Sequence, residues 1–396
     1  MTTSPVAEGL FGALKPQAAD SLLSITGQYR ADPRAGKLDL GVGVYRDAEG
    51  ATPVLQAVKA AEARLLDAQT TKTYLGAEGD VGFLERLTPI LFGSNAPANV
   101  FGLQTPGGNG ALRLAADLLA AARPGARIFL GGPTFPNHPL IFDASRLKTV
   151  SYRYFDVETQ SVRFDELMDA LVTAQPGEAV LLQAGCHNPT GADLTPDQWR
   201  AVADTVSARG LTPLIDQAYQ GLGLGLEEDA AGMRLVVEAA PDALLAYSCD
   251  KNFGLYRERV GALFIVSANA ERLDLAAANA KLLARGHWSM PPDHGAAVVR
   301  TILESDTLTL GWRMELDTMR RRLVEVRRAL AAAGPALRSF GDRHGLFAQL
   351  PLSPAQVTKL RTEHAVYMAS SGRINVAGLT PATVPAFAEA YAACRG

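Results

Sequence analysis

The sequence predicts an α/β protein with a large domain built on a mostly parallel, doubly wound sheet and a smaller α+β domain. Strand-like apolar runs at 127–131, 179–184 and 212–215 alternate with helical segments, which is typical of a parallel sheet covered on both faces. Helices return after residue 269, and short strands mixed with helices follow from about residue 337. With 396 residues, the chain is long enough for two or three domains.

These changes in pattern suggest where the domains begin and end. We predict an N-terminal arm at 1–19, a large domain at 53–313, and a discontinuous small domain at 20–52 and 314–396. The arm has two prolines and no clear period, so we expect it to be disordered or held by another subunit.

Composition excludes several classes of protein. The hydrophobic fraction is 47%, the charged fraction is 20% and the net charge is -3, which fits a globular protein without the basic surface of a nucleic-acid binder. We find no apolar run of membrane-spanning length and no secretory signal. The three cysteines are odd in number and lack metal-ligand spacing, so we expect a cytoplasmic protein without a metal site.

The N-terminal part contains two glycine features. Gly41 and Gly43 interrupt a strand-like run at 38–45; such glycines mark a close approach to the backbone, although a bulge is the commoner explanation. After a helix predicted at 54–69, a glycine cluster at 107–110 opens another helix. The exposed N–H groups at a helix start can bind an anion, but this cluster matches neither the Walker pattern nor G-x-G-x-x-G.

Polar residues follow each strand of the predicted sheet. A helix at 196–209, capped by Thr195, illustrates the alternation of strand and helix. In doubly wound sheets ligands bind beyond the carboxyl ends of the strands. The residues in those positions are Phe135, His138, His187, Asn188, Asp216, Tyr219 and Lys251.

Lys251 lies in a polar connector between the apolar runs 243–247 and 260–266. A lysine at the end of a buried strand is unusual, and a desolvated lysine near other cations is a nucleophile that can form a Schiff base. A surface turn carrying charges for solubility is the plainer interpretation of one such lysine. Likewise His187 alone suggests a packed histidine, Asp216 a helix cap and Arg285 a solvated helix end.

Together, however, these groups fit one cofactor, pyridoxal phosphate. Its aldehyde requires a lysine, its pyridine nitrogen an acidic partner, and its phosphate N–H groups and an arginine. A dinucleotide site is excluded, because Gly221-Leu-Gly-Leu-Gly225 lacks the third glycine in place and does not directly follow a strand.

Four motifs also carry a family resemblance. They are Lys251-Asn-Phe-Gly-Leu-Tyr-Arg-Glu-Arg-Val-Gly261, Asn188-Pro-Thr-Gly191, Asp216-Gln-Ala-Tyr219-Gln-Gly221 and Ser371-Gly-Arg-Ile-Asn-Val-Ala-Gly378. In this order and spacing, the chain resembles the class I, fold type I aminotransferases, close to the bacterial aspartate and aromatic amino acid aminotransferases. The resemblance extends from about residue 20 to the end.

The resemblance implies roles for the residues at the centre of the site. Lys251 would bond to the cofactor aldehyde and later move the proton between the substrate Cα and the cofactor. Asp216 would pair with the pyridine nitrogen, with His138 behind it. Asn188 and Tyr219 would hydrogen-bond the phenolic oxygen.

It also implies how the phosphate and the substrate are bound. Arg373 would clamp the substrate carboxylate, with the Gly43 strand closing over it, and Arg285 would reach the distal carboxylate in the other subunit's site. The active site would then require a homodimer. The groups expected at the phosphate are Gly108, Asn109, Ser248, Arg259 and, from the other subunit, Tyr74.

Several residues depart from the family pattern. Phe135 stands where relatives have a tryptophan on the cofactor ring; it keeps an aromatic face but lacks the indole N–H. Met290 makes a pocket wall more apolar. The other departures are Asn109, Gln183, Cys249 and Asp250. Together they predict a substrate range wider than aspartate.

The sequence therefore predicts a ping-pong aminotransferase that passes the amino group of an aromatic L-amino acid, of aspartate, or of both, to 2-oxoglutarate. A β-lyase or β-decarboxylase on the same fold is an alternative that would release pyruvate or alanine without consuming a keto acid. A non-enzymatic regulator that binds the cofactor would need a DNA-binding module, and the first twenty residues are too short for one.

Overall fold

The computed structural model describes residues 10–16, 21–94 and 96–395. Most of the predicted arm lies outside the described residues; its described part contains a short 3-10 helix at Leu10–Ala13. Within the described ranges, no helix is both long and apolar enough to cross a membrane. The strands are β1 (Leu38–Asp39), β2 (Val100–Pro106), β3 (Arg127–Gly132), β4 (Lys148–Arg153), β5 (Phe155–Asp156), β6 (Ser161–Val162), β7 (Ala179–Gln183), β8 (Thr212–Gln217), β9 (Asp242–Ser248), β10 (Val260–Ser267), β11 (Phe347–Gln349), β12 (Val366–Tyr367) and β13 (Arg373–Asn375).

Helices surround these strands and join most of them. Two further 3-10 helices span Pro335–Asp342 and Val376–Gly378. The α-helices are α1 (Ser21–Ala31), α2 (Gln56–Ala68), α3 (Val81–Phe92), α4 (Gly107–Ala122), α5 (Asn137–Ala144), α6 (Phe164–Thr173), α7 (Pro196–Arg209), α8 (Glu228–Ala239), α9 (Ala270–Trp288), α10 (His294–Leu303), α11 (Asp306–Ala332), α12 (Pro354–His364) and α13 (Val384–Arg395).

The central sheet has seven strands in the order β2-β10-β9-β8-β7-β3-β4. Strand β10 runs antiparallel to both of its neighbours, and the other pairs are parallel. The predicted mostly parallel sheet is therefore confirmed. Its inner strands β9 and β10 are nearly continuous buried runs, because both faces of the sheet are covered: Leu214 and Leu244 pack into one hydrophobic core, and their neighbours Ile215 and Leu245 pack into another.

Helix α7 begins and ends as its sequence predicts. Thr195 accepts the N–H of Gln198, whose side chain returns a bond to the Thr195 N–H, which is a complete capping box. Pro196 occupies the first turn, and the helix ends at Gly210, which has a left-handed φ of 60°. Two residues on its buried face, Trp199 and Val202, pack into one of the two hydrophobic cores that cover the sheet.

The predicted strand at 38–45 is shorter than expected, since only β1 pairs regularly, in parallel with β12. Beyond β1, the backbone carbonyls of residues 40, 42 and 44 accept hydrogen bonds from a single residue of β13. Asn375 donates its backbone N–H to Leu40 O, and its side-chain Nδ2 to Val42 O at 2.6 Å and Val44 O at 2.7 Å. A side chain thus replaces a strand partner, and residues 40–45 lie beside β13 as an extended segment.

Candidate active site

A cavity of about 520 Å³ lies where the strands of the central sheet end. Its walls include residues of β8 and β9, the loop after β7, the start of α4 and β13. The structure therefore brings residues from distant parts of the sequence into one crevice, as the strand-end rule predicts. The predicted site residues that line it are Gly43, Gly108, Asn109, Phe135, Asn188, Asp216, Tyr219, Ser248, Lys251, Arg259 and Arg373.

Lys251 lies in the turn after β9, and its side chain is only 19% exposed. Its Nζ donates to Ser248 Oγ at 3.4 Å and lies 3.6 Å from Asp250 Oδ2. Burial lowers the pKa of the Lys251 amine below the usual 10.5, although Asp250 and Asp216 act to raise it. More of this amine is therefore unprotonated and nucleophilic at a given pH than for a surface lysine.

Asp216 lies in β8, and His138 from α5 supports its carboxylate. His138 Nε2 is 3.1 Å from Asp216 Oδ2, and Thr134 Oγ1 is 2.7 Å from the other ring nitrogen, Nδ1. The histidine is fully buried and stacks on Phe142. His138 does not line the cavity itself, but it fixes the orientation of a carboxylate that does.

The start of α4 forms a cradle with two side chains from the β9–β10 region. Gly107 has a φ of 71°, and a Cβ there would lie 2.6 Å from Arg259 Nη2. A Cβ on Gly108 would lie 2.9 Å from the Ser248 Cβ. Glycine is therefore required for the guanidinium and the hydroxyl to approach the helix N-terminus this closely. Backbone N–H groups, a cation and a hydroxyl converge here, which is the donor set that binds phosphate.

Asn109 and Phe135 form the adjoining wall of the cavity. Asn109 Oδ1 accepts a hydrogen bond from Asn137 Nδ2 at 3.1 Å. The Phe135 ring meets His138 edge-on, with the ring centroids 5.4 Å apart. Phe135 thus presents an aromatic surface to the cavity that the Asp216 carboxylate also lines.

Arg373 is 5% exposed and also lines the cavity. Its Nη1 is 3.4 Å from Asn188 Oδ1, and its Nη2 donates to Gly41 O at 3.2 Å. Its Nε finds no acceptor among the described residues, and burial lowers the pKa of the guanidinium. A buried donor without an acceptor is costly, so this guanidinium is arranged to receive an anionic ligand such as a carboxylate.

Asn188 and Tyr219 line the same cavity. Gln183, at the end of β7, accepts the Asn188 N–H at 2.9 Å and donates to the Asn188 carbonyl at 3.0 Å, which holds the asparagine in place. The Tyr219 ring has Lys251 Nζ 5.6 Å from its centroid. Burial raises the pKa of the Tyr219 phenol well above its usual value, so the phenol remains a hydrogen-bond donor at neutral pH.

Seven residues that line the cavity were not among the predicted site residues, and three of them carry ionisable or aromatic side chains: Asp250, Tyr256 and Phe347. Tyr256 OH accepts the Tyr45 N–H at 2.8 Å, and burial raises its pKa to about 12. Tyr256 belongs to the same motif as Lys251, and Asp250 directly precedes that motif, so the proximity of both to Lys251 could have been proposed. Phe347 lies far along the chain in β11, and only tertiary packing places it here.

Phe347 explains the glycine at position 43. A Cβ on Gly43 would lie 2.7 Å from the tip of the Phe347 ring. Arg373 lies over the face of the same ring, with its guanidinium carbon 4.5 Å from the ring centroid. The close approach that the glycine indicated is therefore made by an aromatic side chain that also supports the carboxylate-binding arginine.

Tyr74 and Arg285, both predicted to act across a subunit boundary, do not reach the cavity of their own chain. Tyr74 is 89% exposed, and Arg285 is exposed in the last turn of α9. Their segments are neighbours: Leu75 donates its N–H to Met290 Sδ at 3.0 Å. Met290 therefore lies on this outer surface and is absent from the cavity walls of its own chain.

Comparison with known proteins agrees with this geometry. Residues 35–390 match the family model for aminotransferase class I and II. A tyrosine aminotransferase from Rhizobium meliloti is 52% identical over 94% of this chain and 97% of its own, and an aspartate aminotransferase from Salmonella typhi is 42% identical over 97% and 100%. The chain belongs to the class I and II aminotransferases. The predicted family and enzyme class of this aminotransferase are thereby confirmed.

A solved structure extends the agreement to the fold. An aromatic-amino-acid aminotransferase from Burkholderia pseudomallei, described as covalently bound to pyridoxal phosphate, matches with a TM-score of 0.94 at 37% identity and covers 98% of this chain and 99% of its own. The predicted fold class is confirmed. The cavity of this aminotransferase also has the donor set for that cofactor: a buried amine at Lys251, a carboxylate at Asp216 and an anion cradle at the start of α4.

Proposed function

We propose that this aminotransferase transfers the amino group of an aromatic L-amino acid, of aspartate, or of both, to 2-oxoglutarate by a ping-pong mechanism. The observation that carries the proposal is the cavity shared by Lys251, Asp216 and Arg373. It combines a nucleophilic amine, an acidic partner and a carboxylate-binding guanidinium, which are the three groups that transamination of an amino acid requires.

Pyridoxal phosphate, the predicted cofactor, is confirmed by the family match and by the relative that carries it covalently. When bound, it withdraws electrons from the substrate Cα and so makes the Cα–H bond acidic. We assign the covalent link to Lys251, the pyridine nitrogen to Asp216, and the phenolic oxygen to Asn188 and Tyr219. The phosphate would be held by the N–H groups of Gly108 and Asn109, by Ser248 and Arg259, and by Tyr74 of a second subunit.

Lys251 would also move the proton. Once the substrate amino group has displaced it from the cofactor, its Nζ, with a pKa lowered by burial, would accept the proton from the substrate Cα and deliver it to the aldehyde carbon of the cofactor. Tyr219, whose pKa is raised, keeps its own proton and donates a hydrogen bond throughout. The two groups therefore have separate tasks, set by their surroundings.

The cavity walls favour aromatic substrates. Arg373 would bind the substrate α-carboxylate through the N–H groups of its guanidinium. Phe135, Phe347 and Tyr256 present rings to the same space, which suits an aromatic side chain. A substrate with a second carboxylate would need a further cation, and we assign this to Arg285 of a second subunit.

We propose a homodimer for this reason. Tyr74 and Arg285 lie on one outer surface of the chain, where the loop after α2 meets the end of α9. Lys281 and Glu78 form an ion pair of 3.2 Å on the same surface. A two-fold axis through this surface would let each subunit complete the other's site.

We also propose the division into a large domain at 53–313 and a small domain at 20–52 and 314–396. The pairing of β1 with β12, and of Asn375 with residues 40–44, supports joining the first segment to the last. We place the enzyme in the cytoplasm, because Cys186, Cys249 and Cys394 are all free and buried.

Absorbance and kinetics test the proposal together. The purified protein should show a visible cofactor band that disappears when an accepted amino acid is added. Steady-state rates with aspartate, tyrosine and phenylalanine, each with 2-oxoglutarate, then identify the donor. No transfer from any of the three would overturn the substrate assignment, and release of pyruvate or alanine without a keto acid would establish a lyase or a decarboxylase instead.

A further inference from the structure

Asp250 is a buried carboxylate inside the proposed phosphate cradle. It is 2% exposed and lines the cavity. Its Oδ2 accepts a hydrogen bond from Arg259 Nη1 at 2.5 Å and lies 3.6 Å from Lys251 Nζ. A Cβ built on Gly107 would lie 3.3 Å from the same oxygen. An anion thus already occupies one side of the site that is proposed to receive an anion.

The other contacts of Asp250 fix it in this position. Its Oδ1 accepts the Val260 N–H at 3.2 Å, and its own N–H donates to Ser248 Oγ at 3.3 Å. Because the carboxylate is buried and anchored at both oxygens, it cannot turn away when another anion arrives. Because Asp250 is buried, the electrostatic repulsion between its carboxylate and another anion is also screened little by solvent.

The position of Arg259 in the structure does not depend on its contact with Asp250 alone. It directly precedes β10, whose first residues pair with β2 and β9. Arg259 Nη1 has a second acceptor, the Tyr256 carbonyl, at 3.2 Å. Its side chain is 44% exposed, so its attraction for an anion is weakened by solvent more than the repulsion from Asp250 is.

We propose that Asp250 acts as a resident anion that competes with the cofactor phosphate for Arg259 and lowers the affinity of the enzyme for phosphorylated ligands. This inference rests on the proposed phosphate site. A phosphate monoester carries close to two negative charges at neutral pH, so a carboxylate sharing its arginine repels it. The effect acts on the phosphate and not on the pyridine ring. It is most important for forms of the cofactor that have no covalent bond to Lys251.

The experiment separates the phosphate from the aldehyde. Apoprotein is prepared for the wild type, Asp250→Ser and Asp250→Asn, and binding is measured by calorimetry. The probes are pyridoxine 5′-phosphate, which lacks the aldehyde, inorganic phosphate, and pyridoxal, which lacks the phosphate. Asp204→Asn is the matched control, because Asp204 is an exposed carboxylate on α7, outside the cavity.

We expect both Asp250 variants to bind pyridoxine 5′-phosphate and inorganic phosphate about tenfold more tightly than the wild type does. Affinity for pyridoxal should change by less than about threefold, because no phosphate is present to be repelled. Asp204→Asn should behave as the wild type. Asp250→Asn keeps the size of the side chain and an acceptor for Val260, so it carries the test if the serine variant does not fold.

Equal or weaker binding of the phosphorylated probes by a folded Asp250 variant would overturn the inference, since Asp250 would then only position Arg259. An equal gain for pyridoxal would also overturn it, because the effect would then act through Lys251. Failure of the wild type to form a covalent species with pyridoxal phosphate would instead overturn the proposed function. The two failures are therefore distinguishable.

Discussion

His138 Nε2 and Asp216 Oδ2 lie 3.1 Å apart, and neither side chain is more than 8% exposed. A buried carboxylate is held in one orientation only if its partners are fixed. Here Thr134 Oγ1 contacts the far nitrogen of the same imidazole at 2.7 Å. Through these contacts, His138 holds the Asp216 carboxylate in one orientation at the end of β8. A pyridine nitrogen bound in the cavity would meet the carboxylate there.

Replacing His138 with phenylalanine should therefore impair the enzyme without unfolding it. The ring can still pack on Phe142, but Asp216 loses its supporting hydrogen bond. We expect kcat to fall by about 10- to 100-fold, with weaker cofactor binding. Steady-state kinetics and cofactor titration measure both, and His294→Asn, an exposed change on α10, is the control. Unchanged values in the folded variant would show that Asp216 needs no support.

The carboxylate clamp gives a second prediction. Arg373→Lys keeps the positive charge but cannot present two parallel N–H donors. We expect kcat/KM for every accepted amino acid to fall by about 100-fold or more, because a charge-assisted hydrogen bond is lost. Arg338→Lys, at an exposed position in the segment before β11, should leave kcat/KM unchanged. Similar kinetics for the two variants would exclude Arg373 as the carboxylate site.

Sequence patterns predicted the elements whose formation is decided locally. The cap at Thr195 and the end of α7 at Gly210 follow from side-chain and backbone preferences within a few residues. Asp216 and Lys251 could be placed in one crevice because the ends of neighbouring strands meet at one edge of a sheet. In each case a local pattern and one topological rule were enough.

Residues placed by long-range packing could not be predicted in this way. Arg327 lies in a charged run of α11 and resembles a surface arginine, yet it is 1% exposed. Its guanidinium donates to the carbonyls of Phe340, His344, Gly345 and Phe347. No period in α11 reveals that these carbonyls, up to 20 residues downstream, fold back onto one side chain.

Arg327→Met tests this buried cation. The substitution would leave several buried carbonyls without donors, including that of Phe347, which lies beside the cavity. We expect the free energy of unfolding to fall by about 3 kcal/mol, measured by urea denaturation. The adjacent Arg328 is exposed, so Arg328→Met is the matched control and should change stability by less than about 0.5 kcal/mol. Equal effects of the two variants would show that burial of Arg327 contributes nothing.

The amine of Lys251 gives a pH prediction. Only the unprotonated amine attacks an aldehyde, so the rate at which apoprotein bonds pyridoxal phosphate should rise with pH. Because burial lowers the pKa of Lys251, the midpoint of this rise should lie below the ordinary lysine value of 10.5. Stopped-flow absorbance at a series of pH values measures it. A midpoint at or above 10.5 would contradict the lowered pKa.

Mixed dimers test whether the sites are shared. Arg285→Leu should reduce activity with aspartate far more than with phenylalanine, because only aspartate has a distal carboxylate. Lys251→Ala should abolish activity with both. If Arg285 serves the partner's cavity, a dimer of one Lys251→Ala chain and one Arg285→Leu chain contains one complete site and one doubly defective site. Two affinity tags on co-expressed chains allow this hybrid to be purified and assayed with aspartate.

We expect the hybrid to recover about half of the wild-type activity with aspartate, although each homodimer has little, because one of its two sites is complete. Arg272→Leu is the control for the arginine change, since Arg272 is also exposed on α9 but lies at its opposite end. If Arg285 instead acted within its own chain, every site of the hybrid would lack either Lys251 or Arg285. The hybrid would then be no more active with aspartate than the mean of its parent homodimers, and the shared-site dimer would be wrong.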